Sequence, residues 1–86
     1  MDAPKLQFPC EYPIKVMIRV APGVRPEVDA VMSRHAGPLP PDRISERPSR
    51  EGHFAGITYT IQARDEGHIA ALFADLKSVP GVLMVL

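Results

Sequence analysis

Apolar and polar side chains alternate along two stretches of this chain, residues 12–20 and residues 55–63. A period of two is typical of a half-buried β-strand, because successive side chains point to opposite faces of a sheet. Each stretch is therefore predicted to be a strand with one face toward the core. The inward side chains are predicted to be Ile14, Val16, Ile18 and Val20 in the first strand, and Ala55, Ile57, Tyr59, Ile61 and Ala63 in the second.

Two other segments repeat their apolar residues at helical spacing and carry helix start and stop signals. Pro26 suits a first helical position, and Gly37 followed by Pro38 ends that helix. Asp65 is expected to cap the second helix, which Pro80 and Gly81 stop. The side chains predicted to face the core are Val28, Val31, Met32 and His35 in the first helix, and Ile69, Leu72, Phe73 and Leu76 in the second.

The remaining segments complete a recognisable order of elements. Residues 42–48 are predicted to be a charged edge strand around Ile44, residues 49–52 a hairpin turn and residues 82–86 a last strand. Strand, helix, strand, strand, helix, strand is the split βαβ arrangement. We therefore predict an α+β, ferredoxin-like βαββαβ fold, a four-stranded antiparallel sheet with two helices on one face. Residues 1–11 are expected to be an N-terminal arm and residues 12–86 a single domain.

The face of the sheet without helices, called the open face below, is predicted to be basic. By parity it carries Lys15, Met17, Arg19, Thr58, Thr60 and Gln62, joined by Arg43 and Arg47 if Ile44 turns inward. The helices carry acidic residues instead. The last strand is apolar at every position, which a sheet with one wet face does not require. We therefore expect a partner subunit, and so a homodimer, to cover it; the alternative is partial burial under the N-terminal arm. The predicted partner interface consists of Lys15, Met17, Arg19, Arg43, Arg47, Leu83 and Val85.

Composition narrows the classes of function. Ten basic and ten acidic residues give a formal net charge of zero, so no overall field attracts nucleic acid or an anionic membrane. Cys10 is the single cysteine, which permits no internal disulfide and suits a reducing compartment. No apolar segment resembles a signal peptide or a membrane span. The expected location is the cytoplasm, without membrane contact.

Several short segments resemble the YbeD-like family of small bacterial proteins, catalogued as lipoate regulatory proteins or as a domain of unknown function. The resemblance implies a ferredoxin-like fold close to ACT regulatory domains. Those domains bind small molecules, typically amino acids, at dimer interfaces near the loop between the first strand and the first helix. The resemblance implies no established catalytic or ligand site. The matching segments are Leu6–Pro9, Tyr12 with Lys15–Met17, Arg34–Ala36, Pro48 and Ser49 with Gly52, residues 57–63 and Met84–Leu86.

The loop before the first helix is the candidate ligand site. Gly23 allows backbone N–H groups to approach a ligand, and a helix N-terminus suits a carboxylate. Gly23, Val24 and Arg25 are therefore the predicted ligand-binding residues, with Arg25 meeting an anion.

Catalytic and metal-binding residues are not predicted. His35, His53 and His68 lack the i, i+4 spacing of a helical metal site, and Cys10 does not complete one. Acylphosphatases share this topology and use an Arg together with an Asn. Arg25 could supply the Arg, but the chain contains no Asn. We expect no metal, no cofactor and no enzymatic activity.

These observations predict a non-enzymatic regulatory or interaction module. It is expected to sense a small carboxylate metabolite or to dock on a metabolic enzyme. The alternative is a nucleic-acid-binding module that uses Lys15, Arg19, Arg43 and Arg47 on phosphates. Against it, Gly56 occupies the position of a central stacking aromatic, and Phe54 is the outward aromatic of its strand.

Overall fold

A computed structural model describes residues 7–86 and has the predicted order of elements. The four strands form one antiparallel sheet, and across the sheet they lie in the order second, third, first and fourth along the chain. This arrangement confirms the predicted ferredoxin-like fold. The elements are β1 (Cys10–Arg19), α1 (Val24–Ala36), a 3₁₀ turn (Pro41–Arg43), β2 (Ile44–Pro48), β3 (Phe54–Ala63), α2 (Glu66–Lys77) and β4 (Val82–Val85).

Three predicted boundaries need correction. β1 begins at Cys10, because Cys10 and Glu11 pair with the far end of β3 rather than forming part of an arm. Residues 1–6 of the predicted arm lie outside the described residues. α1 begins at Val24, ahead of Pro26, because Gly23 adopts a φ of 86° and forms the N-cap. Residues 42 and 43 belong to the 3₁₀ turn, so β2 starts only at Ile44.

The core lies between the inner face of the sheet and the two helices. The inward positions of β1 and β3 are those predicted from alternation, and Ile14, Val16 and Ile57 are all fully buried. Val20 is the exception, because β1 ends at Arg19 and leaves its side chain 53% exposed. Val28, Val31 and Met32 of α1 and Leu72 and Leu76 of α2 close the core from the other side.

The two outer strands, β2 and β4, differ in their surface chemistry. β2 carries Glu46, Arg47 and Pro48, residue types that discourage further strand pairing. β4 is short and apolar, and its pairing with β1 shifts register between Met17 and Ile18. Val85, predicted to lie in a partner interface, is instead 8% exposed, because it pairs with Val16 and faces the core.

Candidate interaction surface

A hollow lies on the open face, toward the β2–β3 turn, because Gly56 has no side chain there. Gly56 pairs with Met17 of β1 and with Arg47 of β2. The Met17 thioether and the Lys15 methylenes border the hollow, and the Phe54 ring also lines it. Its volume is about 230 Å³. The hollow therefore combines an apolar floor with two cationic neighbours, Lys15 and Arg47.

Three cations of the open face have no acidic partner among the described residues. No carboxylate of residues 7–86 lies within ion-pair distance of Lys15, Arg19 or Arg47. Arg19 lies over the ring of its cross-strand neighbour Phe54, with Cζ 5.7 Å from the ring centroid. Such a cation–π contact holds the guanidinium in place without neutralising it.

Arg43 differs from the other predicted cations of this face. It lies in the 3₁₀ turn and donates a 2.6 Å hydrogen bond from Nη1 to the Glu11 carboxylate. That hydrogen bond raises the pKa of the Arg43 guanidinium above its ordinary value. Because Glu11 compensates its charge, Arg43 contributes less than Lys15, Arg19 and Arg47 to the positive character of the face.

An apolar strip continues the hollow toward β4. Met84 pairs with Met17 across the sheet, and Leu86 exchanges two backbone hydrogen bonds with Lys15. Leu83, Met84 and Leu86 are 51%, 53% and 61% exposed. The open face and its β4 edge therefore present apolar side chains beside cations, the pattern found at protein interaction sites.

Acidic side chains gather on the helical side of the sheet. The buried Tyr59 hydroxyl donates a 2.6 Å hydrogen bond to Asp29 Oδ1. Arg25 Nε lies 3.0 Å from the same oxygen, and Arg25 Nη1 contacts Glu46. Burial raises the pKa of the Tyr59 hydroxyl, and the hydrogen bond to Asp29 raises it further. This network joins β3, α1 and β2.

This network bears on the predicted ligand loop, because the Arg25 guanidinium already forms ion pairs with Asp29 and Glu46. The backbone also offers few donors. The Val24 N–H bonds to Ala21, Pro26 has none, and the Glu27 N–H bonds to Gly23. The Glu27 side chain lines the shallow pocket at this loop, where its carboxylate opposes an anionic ligand.

Val24 and Gly23 have structural roles in this loop. Val24 is 8% exposed and packs against Gly81, so it belongs to the core. Gly23 supplies the left-handed conformation from which α1 starts. The three predicted ligand residues follow one another in the chain, but the structure does not direct their polar groups toward one common site.

Two of the three histidines join the helices. His35 Nε2 lies 2.8 Å from Asp75 Oδ2, which also accepts a 3.0 Å hydrogen bond from Arg34. His68 is buried, and its Nε2 lies 2.6 Å from the His35 carbonyl oxygen. Sequence reasoning missed the His68 contact, because its partner is a backbone atom that no side-chain pattern marks.

The third histidine lies apart from these contacts. His53 is exposed near the β2–β3 turn, 3.8 Å from Glu51. Within residues 7–86, no three His, Cys, Asp or Glu side chains are grouped so that they could hold a metal ion. In the described part of the chain, neither helix combines the length and the apolar character needed to cross a membrane.

The order of elements and the strand order define a small ferredoxin-like domain, and comparison with known proteins identifies its family. Residues 3–86 match the family model described as "Protein of unknown function (DUF493)". The chain therefore belongs to this family, which is the YbeD-like family that its motifs resemble.

Relatives match along almost the whole chain. A UPF0250 protein of Hahella chejuensis is 39% identical over 85 residues, covering 99% of this chain and 93% of the relative. A UPF0250 protein of Azotobacter vinelandii is 38% identical over 87 residues, covering 100% and 95%. Both carry the same family description, UPF0250 protein.

Two solved structures resemble the fold. The solution structure of protein HP0495 from H. pylori superposes with a TM-score of 0.73 at 12% identity, covering 98% of this chain and 88% of that one. The C-terminal domain of the MgtC protein from Mycobacterium tuberculosis gives a TM-score of 0.65 at 17% identity, covering 95% and 89%. At these identities the likeness shows the fold alone.

Proposed function

We propose that this protein is a non-enzymatic interaction module whose open face binds an acidic surface of a partner protein. The observation that carries the proposal is the hollow above Gly56, where exposed apolar groups occur beside cations that form no ion pair with any carboxylate of residues 7–86. A partner would insert an apolar side chain into the hollow and place carboxylates beside Lys15 and Arg47. Desolvated apolar contacts supply affinity, and complementary charge supplies specificity and a faster encounter.

The distribution of charge favours an acidic partner. The formal net charge is zero, yet Asp29, Glu46 and Asp75 all form ion pairs on the helical side. Positive charge on the open face is therefore local rather than global. Local charge of this kind complements an acidic patch of similar size on a partner protein.

The other two candidate functions have less support. Nucleic-acid binding on a sheet needs several exposed aromatic rings, and this face offers Phe54, whose ring Arg19 already covers. Sensing of a small carboxylate at Gly23–Arg25 needs a free cation, and Arg25 lies against Asp29 and Glu46. Docking on a metabolic enzyme remains compatible with the open face.

The test uses a substitution that places a methyl group on the floor of the hollow without straining the backbone. A Cβ at Gly56 would lie 3.0 Å from Met17 Sδ and 3.2 Å from Lys15 Cε, both on flexible side chains that can move aside. The Gly56→Ala variant should fold normally, with a raised floor and with Met17 and Lys15 displaced from the rim of the hollow. Arg47→Glu reverses one flanking charge, and Arg50→Glu is the matched control, because Arg50 lies in the exposed β2–β3 turn.

The immobilised protein is used to capture proteins from a nuclease-treated bacterial lysate, and candidates are then purified for calorimetry. Gly56→Ala and Arg47→Glu should each weaken binding of the purified partner by about tenfold or more, whereas Arg50→Glu should not. Equal binding by all variants would rule out the open face. Capture that occurs from a parallel untreated lysate but not from the nuclease-treated one would point to nucleic acid instead.

A further inference from the structure

We propose that the outer edge of β4 accepts an extended segment of a partner protein as a fifth strand of the sheet. The segment fitted by this edge alternates apolar and acidic residues. This inference rests on the proposed function, because it assumes the same acidic partner. It adds a second contact site, the β4 edge, where the partner binds through its backbone.

The backbone of β4 is arranged for strand addition. Lys15 and Leu86 exchange both of their backbone hydrogen bonds, at 3.0 and 2.8 Å. In an antiparallel ladder the neighbouring pair then directs its groups away from each other. Val85 pairs with Val16 in that position, so the Val85 N–H and C=O point toward the outer edge. Within the described residues, β4 is the last strand on this side.

The side chains at this edge are suited to an extended segment. A groove of about 390 Å³ lies along it, lined by Lys77 at the end of α2 and by Val82–Val85. Leu83 and Met84 are about half exposed, at 51% and 53%. The exposed Leu83 and Met84 side chains give apolar side chains of an added strand a place to pack, while the β4 backbone supplies the hydrogen bonds.

The two outer strands differ in how readily they could pair with an added strand. β2 places Glu46, Arg47 and Pro48 at its edge, and these residue types discourage strand addition. β4 has no charged residue and no proline between Val82 and Val85. Its shortness and its register shift limit the contact to a few residues, so we expect a weak and reversible association.

Charge distinguishes an acidic partner from a second copy of this chain. Lys77 borders the groove, whereas the side chains of Lys15 and Arg19 lie toward Gly56 and Phe54 of β3, on the far side of β1 from this edge. The Lys77 side chain is not ion-paired within residues 7–86. Two copies meeting at this edge would bring like charges together, whereas carboxylates on an added strand would be attracted.

The experiment follows the Val85 amide by NMR. The probe is a blocked seven-residue peptide that alternates glutamate and valine, and its matched control carries lysine in place of glutamate. Binding of the glutamate peptide should perturb the amides of β4 and slow hydrogen exchange at the Val85 N–H by about tenfold or more at saturation. The lysine peptide should leave both unchanged. Lys77→Glu should raise the Kd of the glutamate peptide by about tenfold, and Arg50→Glu should not.

Three outcomes would overturn the proposal. Perturbations confined to residues around Gly56 would assign peptide binding to the hollow and leave the proposed function standing without the β4 site. Slow exchange at Val85 without peptide, increasing with protein concentration, would show that a second copy occupies the edge. Equal binding of both peptides would exclude recognition of acidic residues.

Discussion

The Tyr59 hydroxyl donates a 2.6 Å hydrogen bond to Asp29 Oδ1, connecting the middle of β3 to the first half of α1. Tyr59 is 1% exposed, so its hydroxyl has little access to water. Asp29 also accepts from Arg25 Nε at 3.0 Å. The buried Tyr59 hydroxyl is thus hydrogen-bonded to a carboxylate whose charge Arg25 compensates. Together these three side chains hold α1 against the sheet.

Replacing Tyr59 by phenylalanine should lower the free energy of unfolding by about 1–3 kcal/mol at neutral pH, the contribution of a hydrogen bond to a charged group. The ring stays in place, and Asp29 keeps Arg25 as its partner, so no buried polar atom is left alone. Urea denaturation measures the change. Tyr12→Phe serves as a control for loss of a hydroxyl at a less buried position. An unchanged midpoint for Tyr59→Phe would contradict the role of this bond.

The same hydroxyl predicts a loss of stability in alkali. Burial, followed by the hydrogen bond to Asp29, raises the pKa of Tyr59 above its ordinary value of 10.0. Above pH 10 the unfolded chain releases this proton while the folded chain retains it, so stability falls as the pH rises. The free energy of unfolding of the wild type should therefore decrease more steeply above pH 10 than that of Tyr59→Phe. Parallel curves would exclude the effect.

The contacts of the Asp75 carboxylate predict a loss of stability in acid. Contacts with His35 and then Arg34 lower the pKa of Asp75 from its ordinary value of 3.8. A lowered pKa contributes stability that is present above pH 3.8 and is lost as the pH falls through the folded-state value. Asp75→Asn should thus be less stable than the wild type at pH 6, and the difference should shrink below about pH 3.8.

Urea denaturation at pH 6 and pH 3 measures the Asp75 effect. Asp42→Asn provides a matched removal of charge from an exposed position in the 3₁₀ turn. It should show a smaller difference at pH 6. A difference for Asp75→Asn that is the same at both pH values would mean that its carboxylate charge does not support the contact between the helices.

Alternation and helix punctuation were sufficient to predict the fold, because both report which side of an element faces the core. The inward position of Tyr59 follows from its place in β3, and the end of α1 follows from Gly37. The Tyr59–Asp29 bond does not, since periodicity says which face a residue occupies but not which polar group lies opposite. The contact needs the packing of α1 on β3.

Arg25 shows the same limit at the predicted site. Its position after Gly23 suggested an anion contact, whereas Asp29 lies one helical turn further on and Glu46 reaches it from β2. The i, i+4 spacing of Arg25 and Asp29 was visible in the sequence. The approach of Glu46 depended on where β2 starts, which was set by the 3₁₀ turn and could not be read from its single strong apolar residue, Ile44.

The contact between Gly81 and Val24 gives a last prediction, which separates backbone strain from close packing. Gly81 and Gly52 both have a positive φ, 95° and 77°. A Cβ at Gly52 would have no atom within 4 Å, whereas one at Gly81 would lie 2.7 Å from Val24 Cγ2. Gly52→Ala should cost about 1–2 kcal/mol from strain alone. Gly81→Ala should cost about 1–3 kcal/mol more, because Val24 is 8% exposed and has little room to move.

A double-mutant cycle with Val24→Ala tests the cause of the difference. Shortening Val24 removes both of the Cγ atoms that the new Cβ would meet. Gly81→Ala should therefore cost less in the Val24→Ala background than in the wild type, whereas Gly52→Ala should cost the same in both. Equal costs for Gly81→Ala in the two backgrounds would mean that the backbone conformation alone, rather than the approach of Val24, requires a glycine between α2 and β4.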